Sequence, residues 1–250
     1  MSNTQLSASG GRKGLFARQS HGIGPLKAMR IAWLLASNDI ISRYRRTAIG
    51  PLWMIATHGV WTGAIFLLSS GIFGADARTY LPYLAVSITF WNILAFSING
   101  SSTVFQRSVG YISSFPFPLY TYPLQFQFSN MIVFLHQSAI PLVVLIAFGM
   151  LGQVNLLLLL AVMLIYLLLG INLSIIIGAL GGRYRDVQYL LESITTIMFL
   201  LTPIFWQKAV LVKHEWIVDY NPFAHLLSIA RAAVLNEPAS LNSWVNVSNV

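Results

Sequence analysis

Five long apolar stretches follow one another along the chain, separated by short polar or basic segments. A helix needs about 20 mostly apolar residues to cross a bilayer, where backbone groups must be satisfied within a helix or a closed barrel. None of the stretches alternates as the strands of an outer-membrane barrel do. The pattern predicts an all-α polytopic membrane protein with transmembrane helices over residues 51–73, 81–98, 125–151, 155–180 and 187–206.

The segments that flank these spans are predicted to be different in kind. Residues 1–24 are rich in Gly, Ser and basic residues and predict a flexible cytoplasmic tail. Residues 25–46 predict an amphipathic interface helix at the cytoplasmic surface, which either binds anionic lipid or docks a partner. Its apolar positions recur at spacings of three and four, at Leu26, Met29, Trp33, Ala36 and Ile40.

The remainder, residues 47–250, is predicted to be one transmembrane domain. Within it, residues 207–241 are half apolar and interrupted by Asn221-Pro222, which predicts re-entrant or surface-lying helices on the outer side. Five spans that begin inside must end outside. Residues 242–250 look like the polar and aromatic lead-in to a further membrane segment, so a sixth span beyond residue 250 is expected to return the chain to the cytoplasm.

The distribution of basic residues predicts the orientation, because cytoplasmic loops retain Lys and Arg. With the N-terminus in the cytoplasm, eleven basic residues lie inside and four outside. The inner set comprises Arg12, Lys13, Arg18, Lys27, Arg30, Arg43, Arg45, Arg46, Arg107, Arg183 and Arg185. The outer set comprises Arg78, Lys208, Lys213 and Arg231.

Composition narrows the function classes. The chain has 250 residues, of which 56% are hydrophobic and only 9% charged, which excludes an ordinary soluble domain. It has no cysteine, so disulfides, thiolate metal sites and cysteine nucleophiles are excluded. His58 and His136 stand alone in their spans, so a hydrogen-bonded or lumen-facing histidine is favoured over a metal ligand or proton relay, and no metal site or catalytic residue is predicted.

The chain lacks the phosphate-binding pattern G-x-x-x-x-G-K-[ST], so it is not expected to hydrolyse ATP by itself. A transporter built from this chain uses either an ion gradient or a separate ATPase. Gradient-driven carriers usually carry intramembrane charges and repeated halves. Neither pattern is found here, which favours a separate ATPase that holds the ATP and Mg²⁺, with no cofactor in this chain.

Two patterns within the spans suggest contacts. Small residues recur every four positions at Gly170, Ser174, Gly178 and Gly182, which lets two helices approach closely. Packing within the same chain is favoured over a subunit interface. Aromatic residues ordinarily form a belt at the membrane interface, but some can instead line a conduit and stack on sugar rings; the candidates are Trp61, Trp91 and Phe96.

Three cytoplasmic segments, residues 43–53, 105–116 and 183–186, are where a soluble partner can act. For Asp186 the simpler interpretation is a cap on the fifth span. The candidate coupling residues in these segments are Arg43, Arg45, Arg46, Arg107, Tyr111, Phe115, Arg183, Arg185 and Asp186.

A set of weak motifs occurs in a defined order over about residues 26–235. It comprises RYRRTAIGPLWMI, ITFWNILAFSINGSSTVF, the loop ending in Phe115-Pro116, RYRDVQYLLE, TPIFW and YNPFAHLLSIAR. The ordered set resembles the transmembrane subunit of an ATP-binding-cassette exporter for O-antigen or capsule polysaccharide. The chain departs from that pattern at Ser113-Ser114, where relatives often carry basic residues.

The resemblance implies a homodimeric permease in the bacterial inner membrane with two ATPase subunits, surrounding lipid, a lipid-linked glycan as cargo and no nucleic acid. It also implies that the three cytoplasmic segments contact the ATPase and that an outer gate includes Pro203, Asn221 and Pro222. One alternative is a related drug or small-lipid exporter. Another is a membrane-embedded glycosyl- or acyltransferase, which needs an acid, base or metal group not found here.

Overall fold

A computed structural model of the chain describes residues 23–74, 76–115, 117–207 and 216–237, and every regular element in these ranges is helical. Residues 1–22 and 238–250, with most of the predicted tail, lie outside the described residues. A 3-10 turn occupies Leu151–Gln153. The α-helices are α1 (Pro25–Tyr44), α2 (Leu52–Phe73), α3 (Ala77–Ser101), α4 (Val104–Arg107), α5 (Val109–Ser114), α6 (Thr121–Gln137), α7 (Ala139–Ala147), α8 (Leu156–Arg183), α9 (Val187–Leu201), α10 (Trp216–Asp219) and α11 (Pro222–Leu235).

Within the described residues, four helical stretches are long and apolar enough to cross a membrane: Leu52–Ile72, Ala77–Ser101, Thr121–Ala147 and Leu156–Arg183. They confirm the all-α polytopic class and correspond to the first four predicted spans. The third stretch begins four residues before the predicted start at 125. Pro123 is tolerated there because it lies in the first helical turn, where its missing N–H has no partner to lose.

The fifth predicted span, residues 187–206, differs from the structure at its end. Helix α9 has 15 residues and ends at Leu201, and residues 202–206 form bends. At 1.5 Å per residue, such a helix covers roughly 22 Å of a hydrocarbon core about 30 Å thick. The fifth apolar stretch is therefore a short helix followed by an irregular segment.

Helix α3 is the centre of the bundle. It packs against α2, α6, α7, α8, α9 and α11. Leu84 and Ile88 are fully buried, and Phe90 contacts Phe134 and Tyr166 edge to face at ring-centroid distances of 5.2 and 5.6 Å. A helix that is apolar on all sides belongs in a core or in lipid. Here α3 occupies the core, whereas α2 and α8 expose most of their apolar side chains and suit a lipid surround.

Helix α1 packs along α6 with a face that shares Ala36 and Ile40 with the predicted one. Its fully buried residues are Ala28, Ala32 and Ala36, whereas Leu26 is strongly exposed. The prediction grouped the largest apolar side chains, but close approach of two helices requires small ones. The alanines allow the close approach, and Trp33 contacts Phe128 of α6 edge to face at a ring-centroid distance of 5.8 Å.

Candidate functional site

The three predicted cytoplasmic segments meet at one end of the bundle. Gln106 Nε2 donates to the carbonyl of Gly181 at 2.7 Å, which joins the α4 segment to the end of α8. Arg43 and Arg107 line the same two cavities, and Glu192 of α9 lines one of them. We call this region, formed by residues 43–53, 102–115 and 181–192, the basic end.

The predicted coupling residues are exposed at the basic end. Arg46 adopts a left-handed backbone, with φ of 69°, in the turn between α1 and α2. Arg183 Nε donates to Tyr184 Oη at 3.1 Å. The exposed coupling residues are Arg43, Arg45, Arg46, Arg107, Tyr111, Phe115, Arg183, Arg185 and Asp186.

Two local features of these residues bear on their role. Phe115 stacks on Phe117 with ring centroids 5.4 Å apart, and Tyr111 stacks on Phe115 at 6.3 Å. These ring contacts join α5 to the loop that leads to α6. Asp186 occupies the N-cap position of α9, but its side chain accepts no capping hydrogen bond. Asp186 therefore has the predicted position at the helix N-terminus, where its charge faces the positive end of the helix dipole, but it makes no capping hydrogen bond.

A polar cleft of about 390 Å³ opens between the ends of α1, α2, α3, α6 and α9. Thr195 donates to the Asn99 amide at 3.0 Å, which ties α9 to α3 beside the cleft. Amide side chains both donate and accept hydrogen bonds, and aromatic faces contact apolar surfaces. The cleft can thus contact a hydroxylated molecule through its lining residues, which include Arg43, Phe96, Asn99, Arg107, Phe126, Asn130, Gln137, Gln188 and Glu192.

Deeper in the bundle, polar side chains are paired with one another. His58 Nε2 lies 2.8 Å from Thr89 Oγ1, and Asn92 Nδ2 lies 3.2 Å from His58 Nδ1. His136 Nδ1 lies 2.8 Å from the carbonyl of Ile132. Each histidine therefore has a structural partner. The described residues contain no group of three or more side chains suited to hold a metal ion.

The small-residue face of α8 packs against α3, α4 and α6 of the same chain. Gln127 donates to the carbonyl of Gly170 at 3.0 Å, and Ser174 Oγ lies 2.9 Å from Ser101 Oγ. A side chain at Gly181 would strike the Ser102 carbonyl, whereas one at Gly182 would meet open space. Gly170, Ser174 and Gly178 lie in this contact within the chain, as the spacing predicts. The last small residue of the contact is Gly181, not Gly182. The sequence analysis also missed Gln127.

The three predicted conduit aromatics have different environments. Trp91 is only 5% exposed and packs against Phe199 and Phe223, each at a centroid distance of 5.8 Å. It is a core residue of this chain, which corrects its assignment to a conduit. Phe96 is 46% exposed and lines the polar cleft. Trp61 is 56% exposed and borders a shallow apolar groove on α2.

At the opposite end of the bundle, side chains from other helices hold residues 202–206. Tyr83 Oη lies 2.7 Å from the carbonyl oxygen of Pro203 and 3.0 Å from that of Trp206, and the two carbonyls share its single hydrogen. Asn221 Nδ2 donates to Thr202 Oγ1 at 2.9 Å, and its Oδ1 accepts from two N–H groups at the start of α11, where Pro222 takes the first helical position. The proposed gate residues Pro203, Asn221 and Pro222 therefore lie together.

Arg231 lies at this opposite end, which we call the far end and which is formed by Tyr83 and residues 202–206 and 221–231; its role there was not predicted from the sequence. It was counted among the outer flanking charges, yet it is 8% exposed. Its Nη1 donates to the Pro203 carbonyl at 3.1 Å, and its guanidinium lies 4.8 Å from the Tyr83 ring centroid. Its Nε lies 3.4 Å from Glu237. The sequence did carry one signal for this role, a single Arg within an apolar helix. Arginines in such helices usually face the bundle interior and are paired.

Comparisons with known proteins agree with this architecture. Two proteins described as O-antigen export system permease protein RfbA, both from Klebsiella pneumoniae, are 23% and 24% identical to the chain over 205 and 207 residues. Each alignment covers 81% of this chain and 79% of the relative. A protein of the same description from Myxococcus xanthus is 22% identical over 201 residues, covering 79% of this chain and 77% of the relative.

A family model described as ABC-2 type transporter matches residues 31–235, from within α1 to the last residue of α11. That match takes in all the helices that form the bundle, the basic end and the far end. The chain is a multi-pass membrane protein that belongs to the ABC-2 type transporter family.

Proposed function

We propose that the chain is the permease subunit of an ATP-driven exporter that moves lipid-linked polysaccharide of the O-antigen or capsule type across the bacterial inner membrane. The observation that carries this proposal is the similarity to O-antigen export permeases over about four-fifths of the chain. The polar cleft supports it, because amides and aromatic rings suit a hydroxylated cargo.

The ATP is hydrolysed by a separate partner. The sequence lacks a phosphate-binding loop, and the family is one of transport proteins that work with an ATP-binding-cassette ATPase. Two permease chains assemble with two ATPase subunits, which hold the ATP and Mg²⁺. The basic end contacts those subunits on the cytoplasmic side, and the N-terminus lies on the same side, in keeping with the distribution of basic residues.

Coupling begins at the basic end. ATP binding draws the two ATPase subunits together and moves the segments that contain Arg43, Arg107 and Arg185. Helices α3 and α8 transmit this motion, because the α4 segment is bonded to the end of α8 and both helices belong to one packed core. The cleft then passes the glycan towards the far end while the lipid anchor changes leaflet.

A deletion strain tests the function. Removing the gene from its host is expected to abolish surface polysaccharide and to accumulate lipid-linked glycan on the cytoplasmic side, and the wild-type chain is expected to restore export. Glycan extracted from membranes is quantified before and after complementation. Normal surface polysaccharide in the deletion strain, or loss of glycan synthesis instead of its export, would contradict the proposal.

A further inference from the structure

The wall of the polar cleft carries an amide nitrogen without a partner. Asn99 is half-buried in α3 and lines the cleft. Its Oδ1 lies 3.0 Å from Thr195 Oγ1, whereas its Nδ2 has no hydrogen-bond partner in the described part of the chain. The protein does not enclose this nitrogen, so a molecule in the cleft can reach it. Asn99 therefore offers the cleft a donor that the protein itself does not use.

The Thr195 hydroxyl holds the other end of that amide. Thr195 is 4% exposed, and its Oγ1 also lies 2.9 Å and 3.1 Å from the carbonyl oxygens of Leu191 and Glu192 in its own helix. Threonine hydroxyls in helices commonly bond to such carbonyls. Here the same single hydrogen is shared with an acceptor on another helix. The amide oxygen is thereby kept at α9, and the nitrogen is left towards the cleft.

An aromatic ring lies beside this donor. Phe96 precedes Asn99 by three residues, so the two side chains are neighbours on one side of α3, and both line the cleft. A sugar ring has C–H groups on its faces and hydroxyl oxygens at its edge. An aromatic face suits the first and an amide N–H suits the second. The pair matches one unit of a hydroxylated polymer.

We propose that Asn99 is a cargo-binding residue, whose Nδ2 donates to a hydroxyl oxygen of the glycan, and that Thr195 is the positioning residue that holds the amide for this contact. This inference rests on the proposed function, because it takes the cargo to be a glycan. Thr195 lies behind the wall of the cleft, so it acts on the cargo only through Asn99. Since Thr195 belongs to α9 and Asn99 to α3, binding depends on how these helices pack.

Substitutions of nearly unchanged shape test the pair. Thr195→Val removes the hydroxyl, Thr195→Ser keeps it, and Asn99→Leu removes the amide. Thr196→Val is the matched control, because Thr196 is exposed and its hydroxyl donates to the Glu192 carbonyl at 2.8 Å. Each variant is purified with its ATPase partner and reconstituted into vesicles. ATP-dependent export is measured over a range of concentrations of lipid-linked polysaccharide extracted from the producing strain, and thermal unfolding is measured in parallel.

We expect Thr195→Val to raise the KM for the polysaccharide about two- to tenfold, as fits the loss of one hydrogen bond, and to leave kcat unchanged. Asn99→Leu is expected to raise the KM at least as much. Thr195→Ser and Thr196→Val are expected to keep the wild-type KM. An unchanged KM in both Thr195→Val and Asn99→Leu would overturn the inference, as would a Thr195→Val variant that loses stability and kcat but not KM.

A double variant shows whether Thr195 acts through Asn99. We expect Thr195→Val/Asn99→Leu to have the KM of Asn99→Leu alone, because the hydroxyl then has no amide to hold. This comparison remains valid if Thr195→Val also unfolds earlier than wild type. Increases in KM that add together in the double variant would overturn the positioning role.

Asn99→Asp shows which end of the amide contacts the cargo. It keeps an oxygen beside Thr195 and replaces the donor nitrogen with an acceptor. We expect a KM raised as in Asn99→Leu, and a wild-type KM would overturn the assignment of the donor. A wild-type complex that exports glycan while all the variants keep its KM contradicts only this inference. A wild-type complex that exports no glycan contradicts the proposed function and this inference with it.

Discussion

At the scale of single residues, the end of α8 depends on one glycine. A Cβ atom at Gly181 would lie 2.0 Å from the Ser102 carbonyl oxygen, whereas nothing lies within 4 Å of one at Gly182. The sequence predicted a contact every four residues, but a helix repeats every 3.6, so a strict spacing of four rotates away from its partner. The contact face follows Gly170, Ser174 and Gly178 and then steps by three.

We expect Gly181→Ala to destabilise the protein by about 1–3 kcal/mol, because the backbone of Ser102 has little room to move. Gly182→Ala is the matched control and is expected to gain up to about 1 kcal/mol of helix propensity. Thermal unfolding of the two purified variants provides the measurement. Equal effects would show that α8 does not pack on Ser102 as described.

Two of the predicted conduit aromatics differ in burial: Trp91 lies in the core and Phe96 lines the polar cleft. Trp91→Ala is expected to cost about 3–5 kcal/mol, as removal of a large buried side chain does, and to lower the amount of folded protein. Phe96→Ala is expected to leave folding intact but to slow glycan export, because Phe96 is an exposed lining residue of the cleft. Export per inserted molecule distinguishes the two. An unchanged rate in Phe96→Ala would remove that ring from the conduit.

At the scale of elements, apolar runs predicted the presence of the long helices but not their ends. Helix α9 stops at Leu201 because Pro203 disfavours a helical backbone at Thr202, which is extended, and donors from distant parts of the chain then satisfy the carbonyls beyond it. Tyr83 and Arg231 both reach the Pro203 carbonyl, and no local pattern reveals such a contact. Likewise, the contact face of α1 is set by its fit to α6, and the spacing of apolar residues predicted it only in part.

Tyr83→Phe tests how residues 202–206 are held. The variant loses the hydroxyl that the Pro203 and Trp206 carbonyls share. Arg231 still donates to the Pro203 carbonyl, whereas the Trp206 carbonyl is left unpaired or rehydrated. We expect a loss of about 1–3 kcal/mol in stability. Tyr189→Phe on exposed α9 is the control, with an expected change within about 0.5 kcal/mol. Thermal unfolding is again the measurement, and a Tyr83 variant as stable as the control would contradict the described hold on this segment.

At the scale of the whole molecule, the sequence predicted that three separated segments contact a soluble partner. The structure places these segments at one end of the bundle. Their basic character was readable from the chain, because Lys and Arg cluster in short loops. The sequence does not predict the cavities beside them. Arg43 and Arg107 are 64 positions apart along the chain, and their common cavity depends on how α1 packs against α6.

Replacing basic-end arginines tests coupling to the ATPase. Exposed ion pairs contribute only about 0–1 kcal/mol, so Arg107→Ala/Arg185→Ala is expected to assemble with the partner but to lose much of its transport-linked ATP hydrolysis. Arg78→Ala removes an exposed arginine at the start of α3 and is the control. Both complexes are purified and their ATPase rates compared. Wild-type rates in the double variant would limit these arginines to a topological role.

The most direct measurement is ATP-dependent movement of the glycan by the purified chain and its ATPase partner. Both are reconstituted into vesicles with labelled lipid-linked polysaccharide. We predict that the label becomes protected inside inverted vesicles only when both subunits and hydrolysable ATP are present, and that the chain alone hydrolyses no ATP. ATP hydrolysis by the chain alone, or full protection of the glycan without ATP, would contradict the account.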